Sequence, residues 1–268
     1  MTLLVGIRCR DGVVIASDSV ATFGDGERYT AGGVEVPKIF RIHEKGVFAS
    51  TGAVGMAQLI SQKMNEVFAS AQMHKLSESS VASQISRGVI EATKPYYDNA
   101  LVYANAGQRK HLSGASCKTL FAVLLADGPR LINFDEIGTP EFSKEIPFIA
   151  LGSGQGAADP FLCMLNRVLW MGGPPSLVQG KLAAAWTVWH VSKSASGGIG
   201  GPLQMAVLTG NASKGGLIEF VDNAGREAHA EMVGNVERAI LDAVSAADNP
   251  NASVVPAMPA PPEPPQPK

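Results

Sequence analysis

Two apolar, strand-like runs, Thr2–Arg10 (TLLVGIRCR) and Val13–Asp18 (VVIASD), meet at Asp11-Gly12 near the start of the chain. Asp-Gly between apolar runs is the turn pair of an antiparallel hairpin. The same pattern recurs twice. Lys38–Ile42 and Val47–Thr51 face each other across Glu44–Gly46, and Thr119–Ala126 and Leu131–Phe134 across Asp127-Gly128. Between these hairpins the apolar period changes. In Ala53–His74 the residues Val54, Ala57, Leu59, Ile60, Met64, Val67 and Phe68 recur at helical spacing. Ser80–Tyr103 is a second helical region, where Pro95 predicts a kink or break. An apolar run at Ile146–Leu151 precedes helical segments at Gln155–Trp170 and Ser176–Ser192. Strands at Leu203–Leu208 and Leu217–Val221 follow, then a closing helix at Val233–Ala246. Hairpins and helix pairs in blocks predict an α+β protein with two antiparallel sheets stacked and covered by helices, rather than a parallel βαβ sheet.

Composition narrows the function classes. The 268 residues carry 22 Lys+Arg against 24 Asp+Glu, so no electrostatic case exists for a nucleic-acid or anionic-membrane partner. Cys9, Cys117 and Cys163 lie far apart, which argues against a zinc module or a disulfide framework. There is no HExxH or paired-His motif, so neither a catalytic metal nor a cofactor is expected. Charge arrives at Arg8, too early for a signal peptide. The longest charge-free run, Ser194–Ser213, is broken by glycines and Pro202, so it is no spanning helix. A cytoplasmic protein is the expectation. Pro250–Lys268 holds 8 of the 17 prolines and reads as an extended tail, leaving residues 1–249 for one domain.

The chemistry concentrates in the first 55 residues. A small residue at position 2 permits removal of Met1, which gives Thr2 a free α-amino group. Asp18 ends a strand, Lys38 opens the next one directly after Pro37, and Gly52 follows another in STGAVGMA. In this register the chain resembles a proteasome β-type subunit, including the HslV-like bacterial relatives, in the N-terminal-nucleophile hydrolase superfamily. The matching segments are TLLVGIRCRDGVVIASDSVATFG, PKIFRI, TGAVGMAQ, FIALGSG and Ser196-Gly197-Gly198 before LQMAVLTG. They span residues 2 to about 210.

The resemblance implies a four-layer αββα sandwich and a threonine-type endopeptidase. Thr2 would supply both the nucleophilic Oγ and, through its amine, the general base. An α-amino group ordinarily titrates near 7.7–8.0 and a lysine near 10.4, so the amine is the more available base at neutrality. Lys38, charged, would ease formation of the alkoxide, and Asp18 would hold Lys38. The Gly52 N–H would donate to the oxyanion, Ser153 would orient the Thr2 amine, and Ser196 would support it. Ala21, Thr22 and Gly52 would bind substrate main chain as an added strand. The partners implied are other copies of the chain, in a double ring on the order of 12 or 14 subunits. Peptides or unfolded proteins would be the substrates. A separate ATP-dependent unfoldase would serve folded ones, since the chain has no GxxxxGK[ST] loop.

Two departures from the family pattern stand out. The Thr2-to-Lys38 spacing is a few residues long, which predicts an elongated loop within Gly24–Pro37 near the mouth of the site. Lys193 stands where many β subunits have an Asp three residues before the late Ser. A non-catalytic ring subunit and a small-amide hydrolase of the same superfamily are the alternatives. Cys163, between Leu162 and Met164, reads as a core residue.

Overall fold

The structure is a computed structural model that describes residues 1–24, 29–70, 72–108, 110–141, 145–171, 173–194, 198–212 and 215–248. The chain opens with six strands: β1 (Leu3–Arg8), β2 (Gly12–Ser17), β3 (Val20–Gly24), β4 (Tyr29–Glu35), β5 (Ile39–Ile42) and β6 (Gly46–Gly52). Helices α1 (Val54–Ser70), α2 (Glu78–Asn105) and α3 (Lys110–Gly114) follow. Strands β7 (Cys117–Leu125), β8 (Gly128–Phe134), β9 (Pro140–Glu141) and β10 (Phe148–Gly152) come next. Helices α4 (Gln155–Leu169) and α5 (Leu177–Ser194), strands β11 (Gln204–Thr209) and β12 (Leu217–Phe220), and helix α6 (Asn223–Ala247) complete the described chain.

Two five-stranded sheets carry the fold, in the orders β10-β1-β2-β11-β12 and β5-β6-β7-β8-β9, and every pairing is antiparallel. Period-2 alternation assigns each strand residue to a layer. On β1 and β2, Leu3, Val5, Ile7, Val14 and Ala16 pack with α4 and α5, while Leu4, Val13 and Ile15 turn into the space between the sheets. On β7, Phe121, Val123 and Leu125 face α1 and α2, while Leu120, Ala122 and Leu124 meet the first sheet. Strands buried on both faces therefore read as unbroken apolar runs. The result is the αββα sandwich that the sequence predicts.

The sheets approach closely at Gly6, where a Cβ would lie 2.8 Å from Leu120 Cδ2 and 2.9 Å from Leu131 Cδ2. In the outer layer Phe121 stacks on Phe48 with centroids 5.6 Å apart and meets Phe134 edge-on at 5.4 Å. All three rings are fully buried. Phe121→Ala is expected to lower the unfolding free energy by about 3–5 kcal/mol, through lost transfer energy plus the cavity left behind. Urea titration of the variant checks this; a loss under about 1 kcal/mol would mean that the layer re-packs.

Four sequence expectations are corrected. The Gly24–Pro37 stretch is no plain loop, because Tyr29–Glu35 forms β4 on β3 as a separate two-stranded sheet. Its glycines dilute the strand signal, and residues 25–28 lie outside the described residues. Helix α2 runs unbroken through Pro95, which sits at an exposed position where water can take the carbonyl that the proline leaves unpaired. Helix α6 begins ten residues before the expected Val233, capped by Asp222, whose side chain accepts from Gly225 N at 2.8 Å. Its first turns, NAGREAHAE, have too few apolar residues to show a period. Cys163 is exposed, because the α4 stripe that faces the sheet is Ala158, Leu162 and Leu165. The proline-rich tail lies outside the described residues. Among the described residues, no helix is long and apolar enough to cross a membrane.

Candidate active site

Asp18, one residue past β2, is fully buried, and its carboxylate organises the site. Oδ1 accepts from Leu3 N at 2.9 Å and from Lys38 Nζ at 2.8 Å, and Oδ2 accepts from Gly200 N at 3.3 Å. Strand register explains the first contact. Leu4 pairs with Ser17, so the chain before Leu4 runs alongside Asp18. Lys38 precedes β5 in the facing sheet and reaches Asp18 across the gap between the sheets. Burial pushes the Lys38 ammonium below the ordinary lysine value, and the hydrogen bond and charge of Asp18 partly oppose that shift.

Thr2 stands where β1 starts, half-buried. Its N–H donates to Ser153 Oγ at 3.1 Å, because Leu3 pairs with Gly152 and so places Ser153 beside it. Gly154 N donates to Thr2 O at 3.3 Å. Gly152 has φ +100°, and a Cβ there would lie 2.2 Å from Thr2 O, so no larger residue fits at this crossing. The Met1 carbonyl oxygen accepts from Thr2 Oγ1 at 2.8 Å and from Lys38 Nζ at 3.3 Å. While Met1 is attached, the Thr2 nitrogen is an amide and has no basic lone pair. The Met1 amine itself is pushed below its ordinary value by burial and by the charge of Lys38.

A cleft of about 240 Å³ opens beside these residues, lined by Thr2, Ala21, Lys38, Phe40, Gly52 and Val54 among others. Gly52 ends β6 with φ +115°, and a Cβ there would lie 2.3 Å from Ser116 O. A backbone with that dihedral lets the chain turn sharply from strand to α1 at the cleft wall. Thr2, Asp18, Lys38, Gly52, Ser153 and Ala21 are thus gathered in one place. Thr22 is in β3, but its side chain is outside the described set, and Ser196 lies outside the described residues altogether. Sequence reasoning missed Gly200 and Gln204. Gly200 belongs to the glycine run after α5, and its N–H contact with Asp18 has no residue-type signature. The buried thiols of Cys9 and Cys117 are both pushed up to about 12, which makes them poor nucleophiles. Among the described residues, no group of three or more His, Cys, Asp and Glu could hold a metal ion.

Two antiparallel sheets stacked between helices, with a threonine at the head of an inner strand, define an N-terminal-nucleophile type of fold. Residues 2–167 match the family of the Proteasome subunit, and the chain belongs to that family, on its β-type side. It is 26% identical over 157 residues to "Proteasome subunit beta" of Methanococcus maripaludis (strain C5) and of Methanococcus vannielii (strain SB). These matches cover 59% of this chain and 63% of each relative, so the chain spans under two thirds of their length. Among solved structures it is similar to an Anbu mutant from Hyphomicrobium sp. strain MC1. The TM-score there is 0.65 at 16% identity, over 91% of this chain and 97% of that one. It is also similar to Anbu (ancestral beta-subunit) from Yersinia bercovieri, with TM-score 0.61 at 17% identity over 93% and 98% of the two chains. At such identities the likeness is one of fold.

Proposed function

We propose that this chain is a threonine-type endopeptidase subunit in which Thr2, freed of Met1, is the nucleophile. The observation that carries the reading is the Asp18 carboxylate. It holds the N–H next to Thr2 and the Lys38 ammonium on the same oxygen, at the edge of a cleft sized for a side chain. In the proposed reaction the Thr2 amine takes the Oγ proton as Oγ attacks the scissile carbonyl. Lys38 stabilises the developing charge on Oγ, and the Gly52 N–H receives the oxyanion. Collapse breaks the C–N bond, the proton passes to the departing amine, and an ester to Thr2 remains. Water, deprotonated by the same amine, then hydrolyses the ester. Ser153 orients the amine, Ala21 and Thr22 hold substrate as an added strand, and Ser196 supports the site.

A free threonine amine open to all proteins would cut indiscriminately, so the reading includes enclosure in a self-assembled, HslV-like double ring on the order of 12 or 14 subunits. Exposed apolar side chains on α2 (Tyr96, Val102) and α6 (Ile240, Leu241, Val244) supply surface for such contacts. Residues 1–249 would form the catalytic domain in the cytoplasm, with the proline-rich tail outside the packed particle. Light scattering of the purified protein is expected to return a ring-sized particle. That particle should cleave fluorogenic peptides and unfolded casein but leave a folded protein intact without a separate ATPase. A monomer or dimer at micromolar concentration would overturn the enclosure. Hydrolysis of small amides with no cleavage of peptides would overturn the endopeptidase reading.

A further inference from the structure

Lys38 sits just outside the regular ladder, since β5 begins its pairing with Ile39 opposite Ala49. The residue before it, Pro37, has no N–H to give. The first sheet supplies what is missing. Gln204, the first residue of β11, sends its side chain to both sides of Pro37. Its Oε1 accepts from Lys38 N at 2.8 Å, and its Nε2 donates to Val36 O at 2.6 Å. A primary amide offers one acceptor and one donor group, and only one orientation satisfies both partners here. Gln204 thus stands in for a strand neighbour just before β5, the edge strand of its sheet.

The other end of this connection is equally defined. Gln204 pairs with Ser17 on β2, and Ser17 is bonded directly to Asp18. One residue therefore ties the backbone of Lys38 to the strand that delivers its partner carboxylate. Val36 N also donates to Ser19 O at 2.9 Å, while Lys38 N has the Gln204 amide oxygen as its acceptor. A cleft of about 420 Å³, lined by Val36, Pro37, Ile39, Gln204, Met205 and Phe220 among others, lies against the start of β5 on this side.

We propose that Gln204 is the positioning residue for Lys38, fixing through its side-chain amide the backbone from which the ammonium reaches Asp18 and the Met1 carbonyl that the Thr2 hydroxyl also contacts. It touches neither substrate nor the reacting atoms. The inference rests on the proposed endopeptidase reaction. Its test therefore runs wild type, Lys38→Ala, Gln204→Ala and Gln204→Glu in parallel on one fluorogenic peptide, with light scattering and thermal unfolding of each. Gln204→Ala is expected to lower kcat roughly 10- to 100-fold, because small misplacements of a reacting group are costly. KM should stay within about two-fold, and the particle should remain assembled. Gln204→Glu keeps the acceptor for Lys38 N but loses the donor to Val36 O while ionised. Its kcat relative to wild type should therefore recover as the pH falls and the carboxyl regains a proton, which a merely structural role would not produce. A Gln204→Ala protein with wild-type kcat overturns the inference while leaving the reaction standing if Lys38→Ala is inactive. So does a Gln204→Glu/wild-type kcat ratio that is flat with pH. A wild-type protein without turnover, or a fully active Lys38→Ala, overturns the underlying reaction and the positioning role with it.

Discussion

Thr2→Ala is expected to abolish peptide hydrolysis, with kcat falling on the order of 10⁴-fold or more, as happens when a nucleophile acting in a concerted group is removed. With Met1 attached, Thr2 N is a hydrogen-bond donor to Ser153 Oγ, and the Met1 carbonyl engages both Thr2 Oγ1 and Lys38 Nζ. Removal of Met1 converts that amide into an amine and releases both groups to a substrate carbonyl. Intact-mass spectrometry of active protein should therefore show a chain lacking Met1. An epoxyketone peptide, which bonds to both a hydroxyl and an adjacent amine, should leave its adduct on Thr2. Thr2→Ser should retain activity above that of Thr2→Ala, since it keeps the hydroxyl. An adduct on Cys163, the exposed thiol, or full activity in a chain that retains Met1 would sink the assignment.

Loss of the Lys38 charge should be almost as damaging. Lys38→Ala is expected to reduce kcat on the order of 10²- to 10³-fold, the usual effect of deleting one electrostatic contact to a charge that develops in the transition state. It also leaves Asp18 buried without its cation, though Leu3 N and Gly200 N still donate to that carboxylate. Some loss of stability is therefore expected alongside, and circular dichroism must show the variant folded. Lys38→Arg provides the second reading, because it preserves charge and cannot be deprotonated in the working range. The pH dependence has a definite sign. Burial lowers the Lys38 pKa below its ordinary value, so the active ammonium is lost as pH rises through that lowered value. The folded chain then binds fewer protons at Lys38 than the unfolded chain between the lowered pKa and the ordinary one. Stability therefore gains from this group as pH rises through that window, while activity falls. An alkaline limb in kcat/KM that persists unchanged in Lys38→Arg would mean that another group titrates.

Residue order alone determined much of the architecture. Turn pairs such as Asp11-Gly12 and Asp127-Gly128, with apolar runs on either side, placed β1–β2 and β7–β8 and made the sheets antiparallel. Helical spacing in Val54–Phe68 placed α1. These signals are local: a turn's dihedrals and a helix's period are written within a few residues of one another. Thr2, Asp18, Lys38, Gly52 and Ser153 were also legible, since each stands at a strand end in a recognisable segment. Other features had no local signature. Gly-diluted β4 pairs only because β3 lies beside it, and the polar first half of α6 is helical because Asp222 caps it and Val233 anchors the turn beyond. The contacts that assemble the site join residues far apart in the chain. Asp18 meets Gly200 across 182 positions, and Gln204 meets Val36 and Lys38 across 168 and 166. No spacing rule reaches that far. Which polar group closes on which is decided by the register of two sheets packed face to face, where a buried donor or acceptor left alone costs about 1–3 kcal/mol and so must find its partner in whichever strand lies opposite.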